Sequence, residues 1–434
     1  MLVSGLLLGS LAIYAASYQQ TASLATGIQL DSGIRSQQRS DELQGLMQVM
    51  DARLQQNEQD YEASLVKALL QFNQGSLKQA IAELDELTQL APDFHLAHLV
   101  KGDMLMSRFG GISDVGQSPL LQGLTEKEQA MLKRLRDEAH ARLRALNSTD
   151  LSNKVPLQLL ALGNSIDKAF VVEKATNRLF VYQRAETGAP PQLVHDYYVS
   201  TGKNPGNKML SGDLRTPEGV YFVTSWIPDE KLPDKYGIGA FPVNYPNEYD
   251  LHLGKTGYGI WLHGTDSGFY SRPPLDSEGC VVLPNIDLQA LKQEIVPGVT
   301  PVVITEQVDW LELDEWSRQR EAILTVLEQW RQDWESLDVE RYLSHYADDF
   351  WGRGYDIASW KARKRHLAKT KTYQRVTLSD ISLFTYPLLS EKGQAIVVAR
   401  FQQQYDSNNY SGDVSKRIYL RKDQDQWRIL YEGS

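Results

Sequence analysis

The periodicity of the chain changes at Ala169, and a fold built of helices alone or of sheets alone cannot absorb that change. Before it, from Leu43 to Leu146, helix formers dominate and apolar residues recur at steps of three and four, as in Leu65, Ala68, Leu69 and Phe72, then Ile81, Leu84 and Leu87. After it the apolar runs are short and rich in β-branched and aromatic residues: AFVVEK, RLFVYQ, VHDYYVST, GVYFVTSW, GIWLHG and PVVITE. Turn residues separate these runs, so they read as strands of a mostly antiparallel sheet or barrel. One helix is expected among them, over 285–294, with Asn285 as its cap. A further change comes at Trp310. A long amphipathic helix is expected over 315–337, with Ile323, Leu324, Leu327, Trp330 and Trp334 on its inner face. A shorter helix over 339–346 follows, and then four strands: VTLSDISLF, AIVVARFQQQY, SKRIYLRK and WRILYE. The 434 residues leave room for about three domains. The expected fold is multidomain: an α-helical domain over 40–147, a mainly-β domain over 165–307 and an α+β domain over 314–434. The stretch 147–164 between the first two is expected to be a linker.

Within the helical domain, Ala68, Gly75, Ala80, Leu84, Leu87 and Pro92 have the spacing of a tetratricopeptide-like helix pair, with close packing at Gly and Ala and a turn marked by Pro. A second unit starts at Gly102 and Leu105 and fades at Phe109-Gly110-Gly111. One such unit cannot bury its own face. It therefore either docks a protein partner or a second copy, or packs as a lid on its neighbour. Met1 to Ala16 is an apolar run without charge, and small residues follow it. Residues 1–26 read as a signal peptide or membrane anchor, which implies export to the periplasm or cell envelope. A formal net charge of −10 argues against nucleic acid as a partner. His195 and His252 have no partners at metal-ligand spacing, and no phosphate loop or dinucleotide fingerprint is present, so neither metal nor cofactor is expected. Seven cations between Lys361 and Arg375 read either as a solvated helix face or as a docking surface for an anionic polymer.

The chemistry concentrates in one stretch, Trp261 to Asn285, WLHGTDSGFYSRPPLDSEGCVVLPN. It holds the single cysteine of the chain, Cys280, and a candidate base, His263. A thiol becomes a strong nucleophile as thiolate, and an imidazole within reach is a common means of making one. Gly264 and Gly279 permit tight turns beside the two. Cys280 sits between the polar turn Asp276 to Gly279 and the apolar run Val281 to Leu283, which places the sulfur at the mouth of an element. The Gly- and Pro-rich segment 228–258, with Tyr236, Tyr245, Tyr249 and Tyr258, is long enough to form a lid.

His263-Gly264-Thr265, followed after a polar, proline-containing spacer by Ser277-Glu278-Gly279-Cys280, resembles the signature of the L,D-transpeptidase (YkuD-type) catalytic domain. The likeness runs from Lys168 to Glu306. It includes Ala169–Tyr182 as an opening hairpin, Val199 to Lys203, and Arg215-Thr216-Pro217-Glu218-Gly219-Val220-Tyr221. Many members carry Arg or Asn where Val282 stands, and often His where Glu278 stands. The form GCVVLPN is similar to the branch that includes cell-shape L,D-carboxypeptidases. The resemblance implies a substrate, the peptidoglycan stem peptide, and residue roles. Cys280 would attack the carbonyl of an amide, His263 would move the proton, and the carbonyl of Gly264 or Thr265 would orient the ring. Backbone N–H groups at Gly279 and Cys280 would meet the oxyanion. Thr265, Ser277, Gly279 and Arg215 are the candidate substrate contacts. An amine acceptor would give transpeptidation and water would give carboxypeptidase action, while a reading of another class is a non-catalytic wall-binding scaffold. The helix-then-sheet order after Trp310 resembles the cone of nuclear transport factor 2-like domains, whose members bind small ligands or self-associate.

Overall fold

The computed structural model describes residues 34–107, 114–116, 123–146, 151 and 153–434. The expected signal peptide or anchor over 1–26 and the fading repeat at 109–111 lie outside these residues. Among the described residues no helix is long and apolar enough to cross a membrane.

Among the described residues five helices come first: α1 (Ile34–Gln56), α2 (Tyr61–Asn73), α3 (Leu77–Leu90), α4 (His95–Met106) and α5 (Glu126–Leu146). Asp60 caps α2 by accepting from the Ala63 N–H, and Gly75 supplies the positive φ of +80° that turns the chain into α3. The periodic residues face inward as their spacing requires. Leu65, Ala68, Ala80, Leu84, Leu87, Ala97 and Val100 form one core. Ala68, Ala80 and Ala97 are fully buried, so their small side chains set how closely the helices approach. Tyr270, from far along the chain, completes this core.

The β-rich domain is built on a five-stranded sheet. In chain order the elements are β1 (Lys154–Pro156), β2 (Lys168–Glu173), β3 (Arg178–Gln183), β4 (Gln192–Tyr198), β5 (Thr201–Gly202), β6 (Gly219–Phe222), β7 (Ile227–Pro228), β8 (Gly239–Pro242), α6 (Glu248–His252), β9 (Trp261–His263), β10 (Leu275–Ser277), β11 (Val281–Val282), α7 (Asn285–Lys292), β12 (Pro301–Thr305) and β13 (Trp310–Glu312). The large sheet has the order β4-β3-β2-β12-β6, and a second sheet has the order β11-β9-β8-β7. Every strand expected from the sequence in this domain is present. Most of the pairs are antiparallel, as expected, but β2 with β12, β9 with β11, and β5 with β10 pair in parallel. Long crossovers allow this, since a parallel pair cannot be closed by a tight turn.

The unbroken apolar runs of β2, β3 and β12 are explained by burial on both faces. Phe170, Val172, Leu179, Val181, Val302 and Ile304 pack on one side against β9, β11 and α7. Ala169, Val171, Phe180, Tyr182 and Val303 pack on the other against residues of the C-terminal domain. Full burial of each Val, Leu or Phe contributes about 1.5–3 kcal/mol.

The C-terminal domain contains α8 (Leu313–Glu335), α9 (Val339–Leu343), β14 (Tyr346–Gly352), β15 (Tyr355–Asp356), α10 (Ile357–Ala368), β16 (Gln374–Thr385), β17 (Ile396–Ser407), β18 (Tyr410–Asp423) and β19 (Gln426–Gly433). Its six-stranded sheet, β15-β14-β19-β18-β17-β16, holds Ile323, Leu327 and Trp330 of α8 on one face. The basic run 361–375 is only partly a surface feature. Lys364 and Lys371 line a cavity in the cone with Trp334, Tyr342 and Tyr405, while Arg365 pairs with Glu340 outside it.

The stretch 147–164 is not a linker where it is described. β1 pairs with β13, Leu160 N–H donates to the Leu383 carbonyl, and the Trp316 indole donates to the Leu159 carbonyl. Leu159 sits in the core shared by the two β-containing domains and Leu160 in the core of the cone.

Candidate active site

Strand register brings the cysteine to the histidine. β11 lies parallel to β9 with Val281 opposite Leu262 and Val282 opposite His263. Leu262 and Val281 point into the core, so their neighbours His263 and Cys280 point the other way, onto one face. Adjacent strands lie about 4.8 Å apart and two residues rise about 6.6 Å, so the two side chains start within mutual reach. Both line the same cleft of about 390 Å³.

The segments that support the resemblance meet beneath the Cys280 turn. Thr201 N–H donates to the Pro274 carbonyl, Lys203 N–H to the Ser277 carbonyl and Val282 N–H to the Ser200 carbonyl, each at 2.9 Å. Gly202 N–H donates to the Thr216 hydroxyl at 2.9 Å. Gly279 has φ +124°, and a Cβ there would lie 2.7 Å from the Arg215 carbonyl oxygen, so only glycine fits before the sulfur.

The imidazole is fixed in one tautomer. His263 Nδ1 lies 2.7 Å from the Gly264 carbonyl oxygen. A carbonyl only accepts, so Nδ1 carries the proton and Nε2 keeps its lone pair. The Tyr236 ring stands edge-on to the imidazole at 4.9 Å and covers it. Sequence reasoning missed the residue that holds this arrangement. Asn285 is not the helix cap; Pro284 precedes α7, and the Asn285 side chain reaches back. Its oxygen accepts from the N–H groups of Ile238 and Thr265 at 3.2 Å, and its amide donates to the Thr265 carbonyl at 2.9 Å. A Cβ on Gly264 or Gly237 would overlap that oxygen. Gly264 is therefore glycine for want of room, not for a turn. The asparagine following Leu-Pro in GCVVLPN was the available signal.

Of the other candidates, Thr265 is buried and its hydroxyl donates to the Tyr270 carbonyl, so it faces the interior rather than a substrate. Ser277 spans its own turn, donating to the Cys280 carbonyl at 2.6 Å and accepting from the Gly279 N–H at 3.1 Å. That bond occupies the Gly279 N–H and removes it as an oxyanion donor. The Arg215 side chain does not line the cleft, and its Nε is buried without a hydrogen-bond partner among the described residues. Its contribution is the backbone carbonyl packed on Gly279. The segment 228–258 is no loose lid either: it carries β7, β8 and α6, and Tyr245 and Tyr249 are buried in the cores. Tyr236 is the one of its four named tyrosines that lines the cleft. Among the described residues no group of three or more His, Cys, Asp or Glu side chains is placed to hold a metal ion.

The helical domain forms the opposite wall. Leu96 of α4 and Met131, Arg134, Leu135 and Glu138 of α5 line the cleft. Arg134 bridges to Asp276 at 2.9 Å, and the Ser271 hydroxyl donates to Glu138 at 2.6 Å. Behind them lies a buried ion network, in which Glu62 of α2 meets Arg142 of α5 at 2.8 Å and Arg178 of β3 at 2.9 Å. Of the two uses expected for the helical module, packing against its neighbour is the one observed.

Burial sets the resting protonation of the pair. It pushes the Cys280 thiol up to about 11, with only partial relief from the Trp261 N–H, and the thiol donates to the Gly259 carbonyl at 3.4 Å. Burial likewise brings His263 down to about 3, against the opposing pull of the Gly264 carbonyl. Near neutral pH both groups are uncharged. Little thiolate is then present at neutral pH, and its amount rises with pH as the thiol titrates. The arrangement is suited to general-base transfer to Nε2 rather than to a preformed ion pair. The alkylation rate of Cys280 by iodoacetamide should climb about tenfold per pH unit between pH 7 and 10. A plateau below pH 8 would contradict a neutral resting pair.

The family profile of the L,D-transpeptidase catalytic domain (YkuD) matches residues 167–304, and the profile of the Cds6 C-terminal NTF2-like domain matches residues 322–433. Among solved structures, Bd1075 of Bdellovibrio bacteriovorus is 30% identical with a TM-score of 0.57, and the match covers 64% of this chain and 97% of that one. The chain belongs to the L,D-transpeptidase family. The helical cell shape determining protein Pgp2 of Campylobacter jejuni is 25% identical with a TM-score of 0.54, over 64% of this chain and 95% of that one. No curated protein sequence matches. The helices α1 to α5, of which α4 and α5 wall the cleft of this L,D-transpeptidase family member, lie outside both family profiles.

Proposed function

We propose that the protein is an exported envelope enzyme that cleaves peptidoglycan stem peptides through a thioester on Cys280, with water as the acyl acceptor. The observation that carries this reading is the placement of Cys280 and His263 on one face of paired parallel strands, at the floor of a single cleft. As Cys280 Sγ attacks the amide carbonyl carbon, its proton passes to His263 Nε2. The new oxyanion is met by the Cys280 N–H, which makes no hydrogen bond among the described residues. Collapse breaks the C–N bond, and the proton on Nε2 goes to the leaving amine. Water, deprotonated by the same nitrogen, then cleaves the thioester and returns the thiol.

Water is favoured over a second stem because the helical wall narrows the cleft. About 390 Å³ lies at the small end of ligand sites, enough for one peptide end. In this reading the tetratricopeptide-like α2–α3 pair is part of the wall's support. Incubation with tetrapeptide muropeptides, with and without an amine acceptor, tests the proposal. Tripeptide as the main product in both cases is expected. Cross-linked dimer would make the enzyme a transpeptidase, and no product would favour the scaffold reading.

A further inference from the structure

We propose that Lys235 is a specificity residue: its ammonium binds the free carboxylate of the residue that leaves, so that Cys280 preferentially cuts one residue from a chain end. The inference deepens the hydrolytic reading above and rests on it.

Lys235 lies in the short 3₁₀ turn Asp234–Tyr236 between β7 and β8, and it lines the cleft together with Cys280 and His263. The backbone of this turn is pinned from two sides. Arg272 Nη2 donates to the Lys235 carbonyl at 2.6 Å, and the Gly264 N–H donates to the Tyr236 carbonyl at 3.1 Å. The ammonium, by contrast, is held weakly. Its carboxylate partner is Glu278, two residues before Cys280, at 3.7 Å, with the two side chains 51% and 70% exposed. A loose pair between solvated groups is worth ~0–1 kcal/mol, so an incoming carboxylate can take the place of Glu278.

Three other cations line the cleft. Lys203 makes no ion pair among the described residues but is not among the charges that act on His263, and the other two are already engaged. Arg272 holds the turn and pairs with Asp266 at 3.4 Å, and Arg134 is joined to Asp276 at 2.9 Å. Standard bond lengths put the carboxylate of a leaving amino acid about 4 Å from the attacked carbon. A cation that serves it must therefore stand beside the sulfur. The charge of Lys235 acts on both Cys280 and His263, which supports that position.

The test uses the full protein and two alkylating probes of similar size, anionic iodoacetate and neutral iodoacetamide. Lys235→Gln should lower the ratio of iodoacetate to iodoacetamide rates at Cys280 about tenfold, the effect of one charge-assisted contact, and Lys235→Arg should retain it. With stem tetrapeptides, the wild type should cut the free acid about tenfold faster than the C-terminal amide, and Lys235→Gln should lose that preference through KM. An unchanged probe ratio in Lys235→Gln, or equal cleavage of acid and amide by the wild type, overturns the assignment. A Lys235-dependent probe ratio in a protein that cuts no stem upholds the anion site and overturns the hydrolytic reading instead.

Discussion

Cys280→Ala should lower the release of the terminal residue from a stem tetrapeptide by about 10⁴-fold or more, and His263→Ala should reach the same floor. The double variant should be no worse than either alone. Groups that act as one unit lose their joint contribution once, because a nucleophile without its base is nearly as inert as no nucleophile at all. The neutral resting pair sharpens this expectation. With the thiol near 11 and the imidazole near 3, almost no thiolate exists at pH 7 without proton transfer. A covalent adduct seen by intact mass in the wild type and absent from Cys280→Ala would place the acyl group on sulfur. Because His263 is buried beneath Tyr236, the thermal midpoint must be measured alongside, so that lost chemistry is separated from lost packing. Residual cleavage by Cys280→Ala near the wild-type rate would end the assignment of the nucleophile.

Glu62→Ala should cost about 1–3 kcal/mol of stability, the loss of charge-assisted hydrogen bonds, since Arg142 keeps Glu138 and Arg178 keeps Asp196 as partners. Arg142 and Arg178 are 3% and 2% exposed, and both turn to Glu62. Burial alone would raise the Glu62 carboxyl, but Arg178, Arg142 and Arg53 overcome it and hold the group at about 2 instead of 4.5. A depressed carboxylate contributes fully above its ordinary value and loses that contribution as pH falls through the depressed one. The stabilisation should therefore be complete at pH 5 and above and fade toward pH 2. Urea unfolding of wild type and Glu62→Ala across this range checks the sign, since the difference between them should shrink as pH falls. A constant difference would show that the network is not what the substitution removes. Since α2, α5 and β3 meet at this carboxylate, Glu62→Ala should also loosen the wall that carries Arg134.

Much of the floor of the site was legible because it obeys a period of two. Leu262 and Val281 are apolar and His263 and Cys280 are reactive, so alternation alone puts the reactive pair on the opposite face once the two strands are neighbours. That they are neighbours was carried by the likeness of the whole signature, not by the spacing. The opposite wall was not legible. Glu62, Arg142 and Arg178 are ordinary charges on amphipathic surfaces until a fold distant in sequence buries them together. Asn285 was misread for a related reason. An asparagine at a helix start ordinarily caps it, and only the approach of Gly264 and Gly237 turns its amide toward them. The stretch before Ile166 was misread because strands of three residues carry too little alternation to detect.

That stretch fixes the geometry of the whole enzyme half. Leu159 and Leu160 are adjacent, yet one is sewn into the core beneath the catalytic sheet and the other into the cone. The cone cannot swing like a bead on a string, because one peptide bond would have to leave two interiors at once. A ligand held in the cone's cavity would thus sit at a set bearing from Cys280, as in a caliper of fixed opening.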